Sequence, residues 1–130
     1  MGRITREVDV GGRPFRAMFD TGSKNTYVLA AVADAAGSRV AVQPRGVALG
    51  GRPHTLSEMC LVRATIEGYA IEGDAYVIDV LGHDDQGLPI DILVGALLMQ
   101  KWCIRPVPDE ERLDWTHYPY LFNEFSGSPA

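Results

Sequence analysis

The sequence FRAMFDTGS, Phe15–Ser23, joins an apolar segment to a polar turn. The segment from Phe15 to Phe19 has the composition of a β-strand, in which aromatic residues are favoured. Gly22 allows the backbone to turn tightly after the strand, so that Asp20 and Ser23 are left at the strand end. The sequence therefore predicts that the chemistry of the protein is located at this strand end, with Asp20 at its centre.

The segments around this turn predict a small all-β domain. Ile4–Val10 alternates apolar and polar residues, and Gly11-Gly12 supplies a hairpin turn that leads back into Phe15–Phe19. A second, glycine-rich hairpin is predicted at Gly50-Gly51. Further strands are predicted at Val40–Val42, Val47–Leu49, His54–Leu56, Cys60–Glu67, Ala70–Val80 and Ile104–Val107.

Two segments depart from the β pattern. Tyr27–Ala36, which reads YVLAAVADAA, is alanine-rich and apolar on one side, and this predicts a short helix that ends at Gly37. Ile92–Met99 is an almost uninterrupted apolar run, which predicts a fully buried strand that turns at Gly95 into another short helix. The expected fold class is therefore all-β with one or two short helices.

Composition limits the partners that this chain can have. Its 130 residues are 46% hydrophobic, which is enough for the core of one domain. The formal charge of −5 disfavours binding to nucleic acid or to anionic membranes. The sequence has no apolar run long enough to span a bilayer, and its first residues lack the apolar core of a signal peptide. A soluble, cytoplasmic protein is expected.

The sequence offers little support for a metal site or a cofactor. Cys60 and Cys103 lie far apart, without the Cys-x-x-Cys spacing of zinc or dithiol sites, so buried reduced thiols are favoured over a disulfide. The three histidines have no pair at the i, i+4 spacing of a metal-binding helix. His83-Asp84-Asp85 is interpreted as a solvated loop running toward Pro89. No metal and no cofactor are predicted.

Three motifs in order give the chain a family resemblance. Asp20-Thr21-Gly22 follows an apolar strand, the glycine-rich hairpin Arg45–Ser57 comes next, and Asp91-Ile-Leu-Val-Gly-Ala-Leu-Leu follows near the C-terminus. Together they resemble the retroviral-type aspartic protease family over Ile4–Val107. The resemblance implies a pepsin-like or retropepsin-like fold, a single-lobe closed β-barrel that works as a homodimer. It assigns residues 1–108 to the protease domain and leaves 109–130 as an aromatic C-terminal extension.

The same resemblance assigns roles to individual residues. Asp20, Thr21 and Gly22 would form the catalytic loop, with Thr21 holding the two loops of a dimer together. Ser23 would hydrogen-bond the carboxylate and contact substrate. Leu49, Gly50 and Gly51 would bind substrate from a flap over the cleft. The implied activity is an aspartic endopeptidase acting on an extended peptide or protein.

The chemistry explains why a dimer is needed. Hydrolysis of a peptide without a metal needs one carboxylate to take a proton from water and a second acid to polarise the carbonyl. The chain has one Asp-Thr-Gly loop, so the second carboxylate would come from an identical chain across a two-fold axis.

Two other functions remain open at this stage. A catalytically silent dimerisation or peptide-binding module would have the same fold. Phosphoryl transfer through an aspartyl nucleophile is disfavoured, because Gly22 stands where a second magnesium-binding acid would be expected. The aromatic residues of Trp115–Phe125 are interpreted as a tail that packs on the core or on a partner chain.

Overall fold

A computed structural model of the chain describes residues 3–124, and residues 1–2 and 125–130 lie outside the described part. The strands in chain order are β1 (Arg3–Val10), β2 (Arg13–Asp20), β3 (Tyr27–Leu29), β4 (Val40–Leu49), β5 (Arg52–Ile66), β6 (Tyr69–Ile78), β7 (Ile92–Val94), β8 (Arg105–Val107) and β9 (Arg112–Asp114). The helices are α1 (Ala30–Ala36), α2 (Ala96–Trp102) and a 3-10 turn at Pro108–Glu110.

Two tight hairpins are made possible by glycine pairs. Gly11 and Gly12 have φ of +61° and +81°, and Gly50 and Gly51 have φ of +57° and +76°. Positive φ at both central residues is the backbone of a two-residue hairpin whose twist matches that of the strands. The registers agree, because Val10 pairs with Arg13 and Leu49 pairs with Arg52. Both predicted hairpins are confirmed.

The main sheet has the strand order β1-β2-β7-β3-β6-β5-β4. β2 pairs antiparallel with β1 and parallel with β7, so the strand that carries Asp20 is flanked on both sides. β5 also meets β1 at one register pair, Asp9 with Thr65, and the sheet thereby curls around the core. A mainly β domain with two short helices is confirmed, and closure of the sheet into a barrel stays a prediction.

Three predicted boundaries are wrong, each because of strand pairing. Tyr27–Leu29 begins a strand rather than the helix, since it pairs in parallel with β6 and antiparallel with β7. The short strands expected between Val40 and Leu56 are parts of the long strands β4 and β5. The strand expected to close the domain, β8, pairs instead with β9 in a separate two-stranded sheet.

The core has two parts with different positions. The main cluster fills the inside of the curled sheet and includes Phe19, Val28, Val32, Ile66 and Trp102. A smaller cluster lies beneath the second hairpin and consists of Met18, Tyr27, Leu56, Ile78, Ile90 and Leu93. Since β2, β3 and β7 contribute to both clusters, the strands around Asp20 are packed on two faces.

The C-terminal extension is packed on the domain over its described part. Trp115 is buried, its ring stacks on Tyr69 with centroids 4.3 Å apart, and its Nε1 donates to Glu67 Oε1 at 2.8 Å. Tyr118 packs against Trp102 with centroids 5.8 Å apart. Trp115 and Tyr118 therefore pack on the core as predicted, whereas Tyr120 and Phe122 are exposed. Phe125 lies outside the described residues. A domain boundary at 108/109 stays a prediction.

The two cysteines differ in burial. Cys60 is buried, as predicted, whereas Cys103 is only half-buried, and both are free thiols in this structure. Burial raises the pKa of the Cys60 thiol, which makes it less reactive.

No helix within residues 3–124 is long and apolar enough to cross a membrane.

Candidate active site

Asp20 is the last residue of β2, which lies between β1 and β7 in the main sheet. Its neighbour Phe19 is fully buried and pairs with Val94 of β7 on one side and with Ile4 of β1 on the other. The Asp20 side chain leaves this packed strand end with 22% of its surface exposed. The carboxylate is thus held by a rigid strand and remains accessible to a ligand.

A tight turn orients the carboxylate. Ser23 N donates to Asp20 O at 3.1 Å, and Gly22 N donates to Asp20 Oδ1 at 2.9 Å. A Cβ at Gly22 would lie 3.2 Å from Asp20 Oδ1, closer than almost all real Cβ contacts. Glycine therefore lets the backbone approach the carboxylate and present an N–H to it. Thr21 projects from the same turn and is exposed.

The Asp20 loop, defined as Asp20–Thr26, is fastened to the start of α2. Ala96 N donates to Ser23 O at 2.6 Å, and Leu97 N donates to Lys24 O at 3.1 Å. The hydroxyl of Thr26 is buried and accepts from Gly95 N at 3.1 Å. The first N–H groups of a helix have no partner within the helix, so the loop carbonyls satisfy them.

Gly95 is essential to this junction because its backbone touches the loop. A Cβ at this position would lie 2.1 Å from Asn25 O, a distance at which the backbone must move. The sequence predicted a turn at Gly95 but gave it no part in the site. The roles of Gly95 and Thr26 could not be found from motifs, because they come from a contact between segments about seventy residues apart.

Ser23 is placed differently from its expected position. Its Oγ donates to Asn25 O at 2.9 Å, whereas the resemblance had assigned this hydroxyl to the carboxylate. Within one chain, Ser23 therefore stabilises the loop internally. Its contact with substrate stays a prediction.

Arg3 forms an ion pair with Asp20 that was not predicted. Arg3 Nε lies 3.5 Å from Asp20 Oδ2, because Arg3 and Asp20 are register partners in the first hairpin. A signal for this contact exists in the sequence: a two-residue turn at Gly11-Gly12 fixes the register of both strands. Counting back from the turn sets residue 3 opposite residue 20.

A cleft of about 270 Å³ lies over Asp20 and beneath the second hairpin. Asp20, Leu49 and Gly50 line it, and Asp20 is the one acidic side chain among its described lining residues. Its apolar side chains are Met18, Leu49, Val80, Leu81, Ile90 and Leu93. The structure thus brings the predicted catalytic carboxylate and the predicted flap tip together, while Thr21, Gly22, Ser23 and Gly51 lie outside this lining.

Chemistry rather than size identifies this cleft as the candidate site. Other surface grooves of about 350 and 580 Å³ are larger, but Asp20 does not line them. Within residues 3–124 there is also no group of three His, Cys, Asp or Glu side chains close enough to hold a metal ion. The ionisable side chains that line the cleft are one carboxylate, two guanidinium groups and two imidazoles.

The flap hairpin, defined as Arg45–Ser57, is tied to the sheet through His54, which pairs with Val47 partway along the hairpin. His54 Nδ1 lies 2.8 Å from Asp79 Oδ1, and the His54 side chain is only 7% exposed. The hydrogen bond from His54 lowers the pKa of Asp79 below its ordinary value. An ionised carboxylate can only accept, so Nδ1 carries the proton and Nε2 is left to face other groups.

The loop predicted at Leu81–Pro89 is fastened to β2. Asp84 accepts hydrogen bonds from Arg16 Nε at 2.6 Å and from the backbone N of Gln86 and Leu88 at 2.9 Å each. These donors, with Leu88 N first, lower the pKa of Asp84. Asp84 therefore holds in place the loop whose residues Leu81, Gly82 and His83 line the cleft.

Comparison with known proteins supplies a family and a fold. A family model described as aspartyl protease matches residues 6–97. No curated protein sequence matches the chain significantly. Among solved structures, the retroviral protease-like domain of Ddi1 from Leishmania major is similar with a TM-score of 0.63 and 18% identity, over 96% of this chain and 99% of that one.

A second solved structure agrees with the first. The EIAV protease in complex with the inhibitor HBY-793 is similar with a TM-score of 0.59 and 20% identity, over 81% of this chain and 92% of that one. At this level of identity the two structures establish a likeness of fold.

Proposed function

Because the chain belongs to the aspartyl protease family, we propose that it is an aspartic endopeptidase whose two catalytic carboxylates come from the two chains of a homodimer. One observation carries the proposal: Asp20 leaves the end of a buried strand in an Asp-Thr-Gly turn and faces the cleft beneath a glycine hairpin. The substrate is an extended peptide or an unfolded part of a protein.

The need for two chains follows from the count of acids at the cleft. Peptide hydrolysis by water needs a general base and a general acid, and Asp20 is the one acid among the described residues that line this cleft. A second copy across a two-fold axis supplies the other. Two carboxyl groups a few ångströms apart share one proton, as in other aspartic proteases, so one is base and the other acid.

The residues beside Asp20 take supporting roles in the proposal. Thr21 is exposed at the tip of the turn, where its hydroxyl can reach the backbone of a second loop. Gly22 N holds Asp20 Oδ1 at 2.9 Å, and Arg3 Nε lies 3.5 Å from Oδ2. Oδ2, held only by this longer contact, is the oxygen assigned to the attacking water. The roles of Thr21 and Gly22 are therefore positional, and the proton transfers belong to Asp20 and its copy.

Substrate binding is assigned to the flap hairpin and the floor of the cleft. An extended peptide lies as a strand between them and uses backbone hydrogen bonds for affinity and side-chain pockets for selectivity. Leu49, Gly50 and Gly51 cover it from the hairpin, and Ser23 borders it from the loop. Residues 1–108 carry the activity in this proposal, and the extension 109–130 supports the domain by packing.

The proposal is tested by cleavage of a mixed library of unstructured peptides from about pH 3 to about pH 8, with sedimentation of the same samples. We expect a bell-shaped rate profile on the acid side of neutral, because both full protonation and full deprotonation of the pair remove one catalytic group. Cleavage should occur only where dimer is present. A rate still rising above about pH 8 would contradict the carboxyl pair, and an inactive dimer would favour the silent binding module.

A further inference from the structure

The cleft around Asp20 has a charge opposite to that of the whole chain. The chain has a formal charge of −5. The residues that line the cleft nevertheless include two arginines and two histidines against one carboxylate: Arg3, Arg52, His54 and His83 against Asp20. A positive cleft in a negative protein attracts anionic groups to this place in preference to the rest of the surface.

Two of these four basic side chains are already engaged. Arg3 pairs with Asp20 at 3.5 Å, and His54 is bound to Asp79 at 2.8 Å. Arg52, in contrast, makes no side-chain hydrogen bond or ion pair with any residue in the described range 3–124. Arg52 is therefore the guanidinium that is available to a ligand.

The position of Arg52 suits contact with a bound peptide. It is the first residue of β5, directly after the turn Gly50-Gly51, and it pairs with Leu49 across the flap tip. Leu49 and Arg52 both line the cleft. A peptide held as a strand under the flap tip would point every second side chain toward this pair. Such side chains would meet an apolar surface at Leu49 and a charged surface at Arg52.

We propose that the cleft selects substrates with a carboxylate side chain, Glu or Asp, close to the scissile bond, and that Arg52 is the residue that recognises it. The apolar floor, formed by Met18, Ile90 and Leu93, takes a neighbouring apolar side chain. The inference rests on the proposed protease function for the cutting step, but the recognition itself needs only the cleft.

The proposed homodimer adds a second expectation. A two-fold axis through the carboxylate pair repeats Arg52 on the opposite side of the scissile bond. Acid preference should therefore appear at two positions, one on each side of the cut. Arg52 is exposed, so the expected preference for Glu over Gln is modest, about fivefold in kcat/KM per position.

The test measures peptide binding and peptide cleavage separately. Peptides with one apolar frame and Glu, Gln or Lys at each position are scored for cleavage by the parent protein. Binding of the same fluorescent peptides is measured with Asp20→Asn protein, which keeps them intact. The variants Arg52→Gln and Arg45→Gln are compared in both backgrounds, since Arg45 is an exposed arginine of the same hairpin that lies outside the cleft lining.

We expect Arg52→Gln to remove the preference for Glu in binding and in cleavage, and Arg45→Gln to leave it unchanged. Arg52→Glu should shift the preference toward Lys. Equal binding of Glu and Gln peptides by the parent cleft, or an equal loss in the two arginine variants, would overturn the inference even if peptides are cut. Selective binding without any cleavage would support the inference and instead refute the proposed protease.

Discussion

The Asp20 loop and the flap hairpin form opposite walls of one cleft, and they are held in very different ways. The loop accepts backbone hydrogen bonds from Ala96 and Leu97, and its Thr26 accepts another from Gly95. β4 of the hairpin has no buried residue, whereas all three residues of β7 beside the loop are buried. The Asp20 loop is therefore packed into the core, whereas β4 of the flap hairpin is held mainly by its pairing with β5.

This difference assigns different tasks to the two walls. Segments with few buried contacts open at low free-energy cost, and packed core strands open only with the whole protein. In the proposed function, the carboxylate keeps its geometry while the hairpin moves to admit and cover a peptide. Mutations in the loop should damage catalysis or folding, and mutations in the hairpin should mainly change binding.

The largest expected effect is that of Asp20→Asn. It should lower kcat/KM by about a thousandfold or more, since a general base and acid are lost together. The melting temperature should stay close to that of the parent, because the amide oxygen can still accept from Gly22 N. Steady-state kinetics and thermal melts measure the two effects. Asp85→Asn, an exposed acid in a nearby loop, is the matched control and should cut normally.

Gly95→Ala tests the rigid wall by packing alone. Its new Cβ would meet Asn25 O at 2.1 Å, and we expect a loss of at least about 3 kcal/mol in the free energy of unfolding. The melting temperature should fall by about 10 °C. Urea titration gives the free energy directly. Unchanged stability would show that the loop is not fixed on α2.

Gly51→Ala is the corresponding change in the wall formed by the flap hairpin. A Cβ there meets no atom within 4 Å, and the cost comes only from φ of +76°. We expect a loss of about 1 kcal/mol in stability and a reduced rate of cleavage, because the strained turn changes the flap tip. A stability loss as large as that of Gly95→Ala would remove the contrast between the two walls.

Asp79→Asn has the smallest expected effect and tests the attachment of the hairpin to the sheet through His54. The pKa of Asp79 is lowered by its hydrogen bond from His54, so the bond stabilises the fold at pH above the ordinary value of the carboxyl. This contribution is lost as the pH falls through the lowered value. Parent and variant should therefore melt at different temperatures near neutral pH, and the two melting temperatures should converge as the pH falls below the lowered pKa of Asp79. A constant gap at all pH values would show that ionisation of Asp79 is not involved.

The parts of the fold that depend on glycine turns and on alternating apolar and polar residues could be predicted from the sequence. Gly11-Gly12 and Gly50-Gly51 adopt the positive φ that two-residue hairpins require, whatever surrounds them. The strand, turn and helix around Gly95 follow from one apolar run. The Asp20 turn was predictable for the same reason, because Asp20 and Gly22 contact each other over two residues.

The features that were missed depend on distant contacts. Tyr27–Leu29 becomes a strand because β6 and β7 lie on both sides of it, although its sequence merges with that of the following helix. The pair His54 and Asp79 joins two strand ends whose alignment is set by the whole sheet. Only the contact of Arg3 with Asp20 could have been derived, from the register of the first hairpin.

The central claim is that catalysis uses one Asp20 from each of two chains, and mixing experiments test it most directly. Parent protein is exchanged with increasing fractions of Asp20→Asn protein at constant total concentration, and peptide cleavage is measured. With free exchange, an equal mixture has about a quarter of its dimers formed by two parent chains. The account predicts that activity falls with the square of the parent fraction, to about a quarter at equal mixing. Activity that falls in simple proportion, to about half at equal mixing, would mean that each chain cuts with its own Asp20 alone.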